Sequence, residues 1–335
     1  MNRAAAAVGV AVVLLGVASL LQATGVDTDR EVVATGVSRP LQLAVDGGAL
    51  VVLSPGARGD AAGEIYRVDL SGELPVDLSR QPRISIPFID SRTATLGSLA
   101  LHAGTRDLYL GEENGTRIHR LGADGHFALY ATGVHRLAGG GTLAFDAAGR
   151  LIVVDYVDPL LSEAEERPPP GLEQFRDEDY RGPLVFRLTL DPGIPLPRRL
   201  GRVAPLFPRG WGGKAGGASL PRLISVAPVG DADLVFLTSA GEVYRLHAGG
   251  SFLLWTRLPR GQYNRTQMIA APDGSIIVNG GFHVGRIFRI GPDGNVSTLA
   301  SNLADPESIA LDGHGRIYVA ESSLHRIMRL PASRP

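Results

Sequence analysis

Cysteine is absent from this 335-residue chain, and its absence excludes disulfides, thiol catalysis, thiolate metal ligation and lipid attachment through sulfur. Lysine is nearly absent as well: Lys214 stands alone among 33 basic residues. So strong an arginine bias points to a GC-rich, bacterial genome. Neither sign of charge is in excess, since 33 basic and 34 acidic residues leave a formal net charge of −1. That balance gives no support for nucleic-acid binding, because neutralising a phosphate backbone needs a net basic face. Common catalytic spacings are missing too. The eight histidines form no His-Glu-x-x-His pair, so zinc hydrolysis has no motif. No Gly-x-Ser-x-Gly elbow marks a serine hydrolase. The glycine-rich run 208–217 lacks the Gly-Lys-Ser/Thr of a phosphate loop.

What the chain has in abundance is turn chemistry. Its 43 glycines and 23 prolines lie between short apolar runs, as in a turn-rich all-β protein. One motif recurs six times: an apolar residue, a bulky residue, arginine, then another apolar residue. The copies are Ile65-Tyr66-Arg67-Val68, Ile118-His119-Arg120-Leu121, Val185-Phe186-Arg187-Leu188, Val243-Tyr244-Arg245-Leu246, Ile287-Phe288-Arg289-Ile290 and Ile327-Met328-Arg329-Leu330. Two apolar runs precede each copy, and the turns between them, such as Asp46-Gly47-Gly48 and Pro272-Asp273-Gly274, tolerate the positive φ of tight hairpins. More polar runs at 127–131, 252–256 and 296–300 are predicted fourth strands. Four antiparallel strands in about 40–45 residues make one propeller blade. The sixth unit ends after its third strand, while the spare strand at 31–35, in the run EVVATG, echoes the fourth-strand sequence LYATG at 129–133. The N-terminal strand is therefore expected to complete the last blade and leave no open sheet edge. The fold class predicted is all-β: a six-bladed β-propeller over residues 31–331, with an insertion at 157–182 in blade three.

Residues 1–24 read as a separate unit. Arg3 supplies a positive end, and residues 4–21 are apolar or small apart from Ser19, which fits a signal peptide or a membrane anchor helix. Gly16-Val17-Ala18 offers a cleavage site. Either reading exports the propeller to the periplasm or beyond, secreted or tethered to the membrane through residues 4–21.

The last blade, ADPESIALDGHGRIYVAESSLHRIMRL at 304–330, resembles an NHL repeat, and residues 266–290 are a looser copy. Over residues 31–331 the chain is similar to the wider group of six-bladed propellers that includes the regucalcin and gluconolactonase family. The resemblance implies a ligand face built from the loops that lead into the innermost strands and those joining second to third strands. In gluconolactonase-like members it also implies a divalent cation, such as calcium, held there by carboxylates and asparagines. At the asparagine position this chain has Leu41, Gly97, Gly141, Ile224, Gln267 and Glu307. Gln267 and Glu307 alone supply oxygens, whereas calcium takes six to eight.

The second set of loops is more polar and contributes Glu112, Glu113, Asp155, Asn279 and Glu321. With Glu307 and Gln267 these form an expected acidic rim, a place for a cation, a cationic ligand or an activated water. Asp155 and Glu307 lie nearest the axis and are the candidates for any metal. His283 is the one acid–base candidate on this face. Trp211, beside Lys214 in the second insertion, is a ligand-contact candidate, and the acidic insertion 157–182 is placed over the same face. Each of these residues also reads as an ordinary solvated turn residue. Two functions remain open: a non-catalytic propeller binding a protein, peptide or glycan, and a gluconolactonase-like hydrolase with a degenerate metal site.

Overall fold

In the computed structural model, residues 30–55, 61–88, 94–113, 115–134, 137, 139–155, 183–206 and 222–331 are described. Residues 1–24, the insertion 157–182 and the loop carrying Trp211 and Lys214 lie outside them. The chain begins with β1 (Glu31–Thr35). Blade one follows as β2 (Gln42–Asp46), β3 (Ala49–Ser54), β4 (Gly63–Asp69), a short β5 (Val76–Asp77) and β6 (Arg83–Ile86). Blade two is β7 (Thr95–Leu101), β8 (Leu108–Glu113), β9 (Arg117–Leu121) and β10 (Phe127–Thr132). Blade three contributes β11 (Leu143–Phe145), β12 (Leu151–Asp155), β13 (Leu184–Leu188) and a short β14 (Arg198–Arg199). Blade four is β15 (Leu223–Val229), β16 (Asp233–Thr238), β17 (Glu242–Leu246) and β18 (Phe252–Arg257). Blade five is β19 (Met268–Ala270), β20 (Ile276–Asn279), β21 (Ile287–Ile290) and β22 (Val296–Ala300). Blade six is β23 (Pro306–Leu311), β24 (Ile317–Glu321) and β25 (Arg326–Leu330).

These strands make six sheets, and the last has the order β23-β24-β25-β1 before its edge. The N-terminal strand does close blade six. The apolar clusters give the same result independently. Strands buried on both faces alternate between neighbours: Leu50 and Val52 pack toward blade six, while Val51 and Leu53 pack toward blade two. Four further clusters fill the contacts between blades two and three, three and four, four and five, and five and six. Six contacts for six blades make a closed ring, each filled by buried apolar side chains.

The recurring arginine is a staple. From the third strand it reaches an aspartate at the far ends of the first two: Arg67 to Asp46 at 2.5 Å, Arg120 to Asp107 at 2.8 Å and Arg245 to Asp233 at 2.9 Å. Arg289 pairs likewise with Asp273, and Arg187 approaches Asp146 at 3.3 Å without hydrogen-bond alignment. In three blades the bulky position beside it has a polar partner of its own. Tyr66 donates its hydroxyl to Glu64 at 2.7 Å and Tyr244 to Glu242 at 3.0 Å, while His119 Nε2 lies 2.9 Å from Glu112.

Two short segments cross from one blade to the next in the same way. Leu74-Pro75-Val76-Asp77-Leu78-Ser79-Arg80 and Leu196-Pro197-Arg198-Arg199-Leu200-Gly201-Arg202 each begin at a cis Leu-Pro bond. Each continues as a two-residue strand and closes in a 3-10 turn around a fully buried leucine. Strand β5 pairs in parallel with β1, and β14 with β10. Their receivers share the sequence Ala-Thr-Gly-Val, at 34–37 and 131–134. Gly36 has φ 72°, and an added Cβ there would meet the Asp77 carboxylate, so the glycine serves both the turn and the close approach. We refer to these segments as clasps.

Candidate functional site

The loops leading into the innermost strands meet at the axis. Gly140 donates its N–H to Gly97 O of blade two, and Gly141 donates to Thr266 O of blade five, both at 3.0 Å. Gly141 O accepts from Val226 N of blade four at 2.8 Å. Blades three and five are not neighbours, so a backbone bond between them means that the channel is narrowed to contact. Side chains add a polar belt at this level. Ser98 and Thr142 hydroxyls lie 2.7 Å apart, Ser225 Oγ accepts from Met268 N, and Ser308 Oγ accepts from Leu43 N while donating to Gln267 Oε1 at 2.5 Å. Beyond the belt, toward the other face, the axis holds a cavity of ≈ 360 Å³ whose lining includes one alanine from every blade: Ala44, Ala100, Ala144, Ala227, Ala270 and Ala310.

A single cation spans the mouth above the belt. Arg265, in the loop leading into blade five, pairs with Glu113 of blade two at 2.7 Å and with Glu307 of blade six at 3.2 Å. Blades two and five are opposite members of the ring, so this ion pair crosses its diameter. Glu307 is 1% exposed, Glu113 13% and Arg265 28%. Burial works against the charge on Arg265, but the two carboxylates outweigh it and hold the guanidinium pKa above its ordinary value. Arg265 sits at φ 52°, a left-handed conformation that an arginine adopts at some strain. The glycines opposite make room: an added Cβ on Gly97 would lie 2.7 Å from Glu113 Cβ, and one on Gly140 2.8 Å from Thr266 O.

Of the residues expected on an acidic rim, Glu113 and Glu307 converge on Arg265. Glu307 also accepts from Ser322 Oγ at 2.9 Å. Gln267 stands beside them, its Oε1 taken by Ser308 and by Ile309 N. Asn279 is fully buried and serves the backbone, accepting from Gln267 N at 2.6 Å and donating to Pro306 O. Glu321 belongs to blade six, where it accepts from Ala304 N at 2.9 Å and Arg326 at 2.6 Å. Asp155 is buried at the end of β12, opposite Leu184. Glu112 points into the contact between blades one and two; burial opposes its ionisation, yet His119 and Arg117 hold its pKa low. His283 is exposed, edge-on to Phe282 at 4.6 Å. Trp211 lies outside the described residues.

A divalent cation does not fit the described residues at this mouth. Glu113 and Glu307 already share a guanidinium, the Gln267 oxygen accepts two hydrogen bonds, and Asn279 is turned to the backbone. Among the described residues no group of three or more histidine, aspartate or glutamate side chains is arranged to hold a metal ion. Arg265 was not legible as a site residue. The signal for it was the run Gly139-Gly140-Gly141 with Gly97, glycines that leave space for a side chain from across the ring.

The chain is a six-bladed β-propeller, and its likeness to known proteins lies in structure. No family profile matches the sequence, nor does any curated protein. Among solved structures it is similar to a gluconolactonase from Xanthomonas campestris, with TM-score 0.56 and 16% identity over 90% of this chain and 89% of that one. It is similar to regucalcin, a calcium-binding protein from Agrobacterium tumefaciens, with TM-score 0.55 and 13% identity over 89% and 91%. A catalytically inactive variant of virginiamycin B lyase from Staphylococcus aureus, solved with quinupristin, gives TM-score 0.53 and 13% identity over 91% and 85%. At such identities the likeness is one of fold.

Proposed function

We propose that this chain is an exported propeller that binds a protein, peptide or glycan on the face around Arg265, without metal and without catalysis. The observation that carries the reading is the bridge Glu113–Arg265–Glu307. Its one guanidinium engages both carboxylates that would have to hold a metal or activate a water, and it spans the mouth across its diameter. Around it the face is suited to contact: Phe282 and Leu324, in second-to-third-strand loops of blades five and six, are 43% and 50% exposed. Exposed aromatic side chains and arginine are the residues in which recognition surfaces are enriched. Export rests on the apolar run 4–21 with Arg3 ahead of it.

The convergence of Glu113 and Glu307 on one cation favours a second reading, a lactonase-like hydrolase in which a divalent ion displaces Arg265. Hydrolysis of a sugar lactone, followed with and without calcium, separates the two. The binding reading expects no calcium-dependent turnover by the purified full-length protein. Turnover that calcium supports and Glu307→Gln abolishes would establish the hydrolase.

A further inference from the structure

The two clasps are an internal control on what the fold requires. In blade one, Asp77 caps the 3-10 turn by accepting from Ser79 N at 3.1 Å and pairs with Arg80 at 3.2 Å. In blade three the places of Val76, Asp77, Ser79 and Arg80 are taken by Arg198, Arg199, Gly201 and Arg202. The parallel pairing, the buried leucine and the turn are unchanged. A blade edge is therefore clasped equally well by Val-Asp-Leu-Ser-Arg, and the added positive charge is not needed for the fold. Nor is the charge neutralised. Arg198 donates to Thr189 O at 2.9 Å, and none of the three arginines pairs with a carboxylate among the described residues. The staple arginines Arg67, Arg120, Arg187, Arg245 and Arg289, by contrast, have aspartate partners.

The same segment is concave. Arg198, Arg199 and Arg202, with Ile194, Leu196 and Val203, line a cavity of ≈ 550 Å³ on the blade-three clasp. Leu196 is 50% exposed. That volume falls within the range of small-molecule sites, about 300–1,000 Å³. Guanidinium groups present paired donors matched to the oxygens of carboxylates and phosphates. We propose that this cavity is a binding site for a small amphipathic anion, a carboxylate or phosphate ester with a compact apolar body. Its anionic oxygens take the arginines and its body lies against Ile194, Leu196 and Val203. The site is on the outer edge of blade two, apart from the mouth at Arg265, and does not depend on what that mouth binds.

Calorimetric titration of the full-length protein tests this with phenyl phosphate and benzoate, using benzyl alcohol as the uncharged control. Saturable binding of either anion is expected, weakening with salt, while benzyl alcohol shows none; which anion binds tells phosphate from carboxylate. The double replacement Arg199→Asp with Gly201→Ser copies the blade-one clasp, so the melting temperature is expected to hold while affinity falls at least about tenfold. Arg202→Ala, at an exposed side chain, reads the same loss independently. Failure of both anions to saturate, or binding undiminished in both variants, overturns the proposal.

Discussion

At the residue scale, Arg265 gathers carboxylates from two other blades, with a charge that is covalently part of the chain. Removing one partner of so buried an arrangement leaves an uncompensated charge, which costs several kcal/mol, whereas removing both leaves less behind. Arg265→Ala is expected to destabilise the propeller by about 3 kcal/mol. In denaturant titrations of a double-mutant cycle, Glu113→Ala in the Arg265→Ala background should then do much less harm than it does alone. Additive losses would show that the bridge contributes nothing. The staple aspartates give a pH expectation. Burial opposes ionisation of Asp46, Asp107 and Asp233, but hydrogen bonds from the arginines and neighbouring donors outweigh it and lower each pKa. Asp273 is lowered first by Ser275, then by Arg289. Carboxylates with depressed values stabilise the fold above the ordinary aspartate value of 3.8 and lose that contribution as they protonate below it. Melting temperature should be flat from neutral pH to about 5 and fall steeply beneath about 4. A melting temperature that rises on acidification would contradict the staples.

At the scale of the element, the clasps carry weight out of proportion to two residues of strand. Each buries one leucine completely and covers the edge of a neighbouring blade, where an open strand would invite pairing with another chain. Leu78→Ala and Leu200→Ala are each expected to cost about 3 kcal/mol by thermal or denaturant unfolding. Leu254→Ala on the exposed face of β18 should stay within about 0.5 kcal/mol. Equal, small effects at all three positions would mean that the clasps are surface decoration. The strands themselves were largely legible in the sequence, because period-two runs and Asp-Gly turns are local signals. The strand expected at 31–35 is β1 to the residue, and the polar run at 127–131 is β10 short of Thr132. The clasps were not legible. Val76–Asp77 and Arg198–Arg199 are too short to show a period, and what fixes them is a receiving strand on another blade.

For the whole molecule, the repeat established blade number and closure because both depend on counting. The site did not follow from counting. Glu307 and Glu113 were recognised as rim residues from their places at strand ends, whereas Asn279 and Glu321, equally well placed, are spent on backbone and arginine partners. That distinction depends on side chains meeting across the axis, which no local pattern encodes. Arg265 is the sharpest case, since its partners lie on opposite and adjacent blades. An N-terminal strand closes the ring, two clasps cover blade edges and an ion pair spans its diameter. What the ring presents at the mouth is one guanidinium shared by two carboxylates, a surface that keeps an excess negative charge. The most direct test is calorimetric titration of calcium into the full-length protein. No stoichiometric binding is expected, because Arg265 occupies the carboxylates. A one-to-one calcium site that disappears in Glu307→Ala would contradict it.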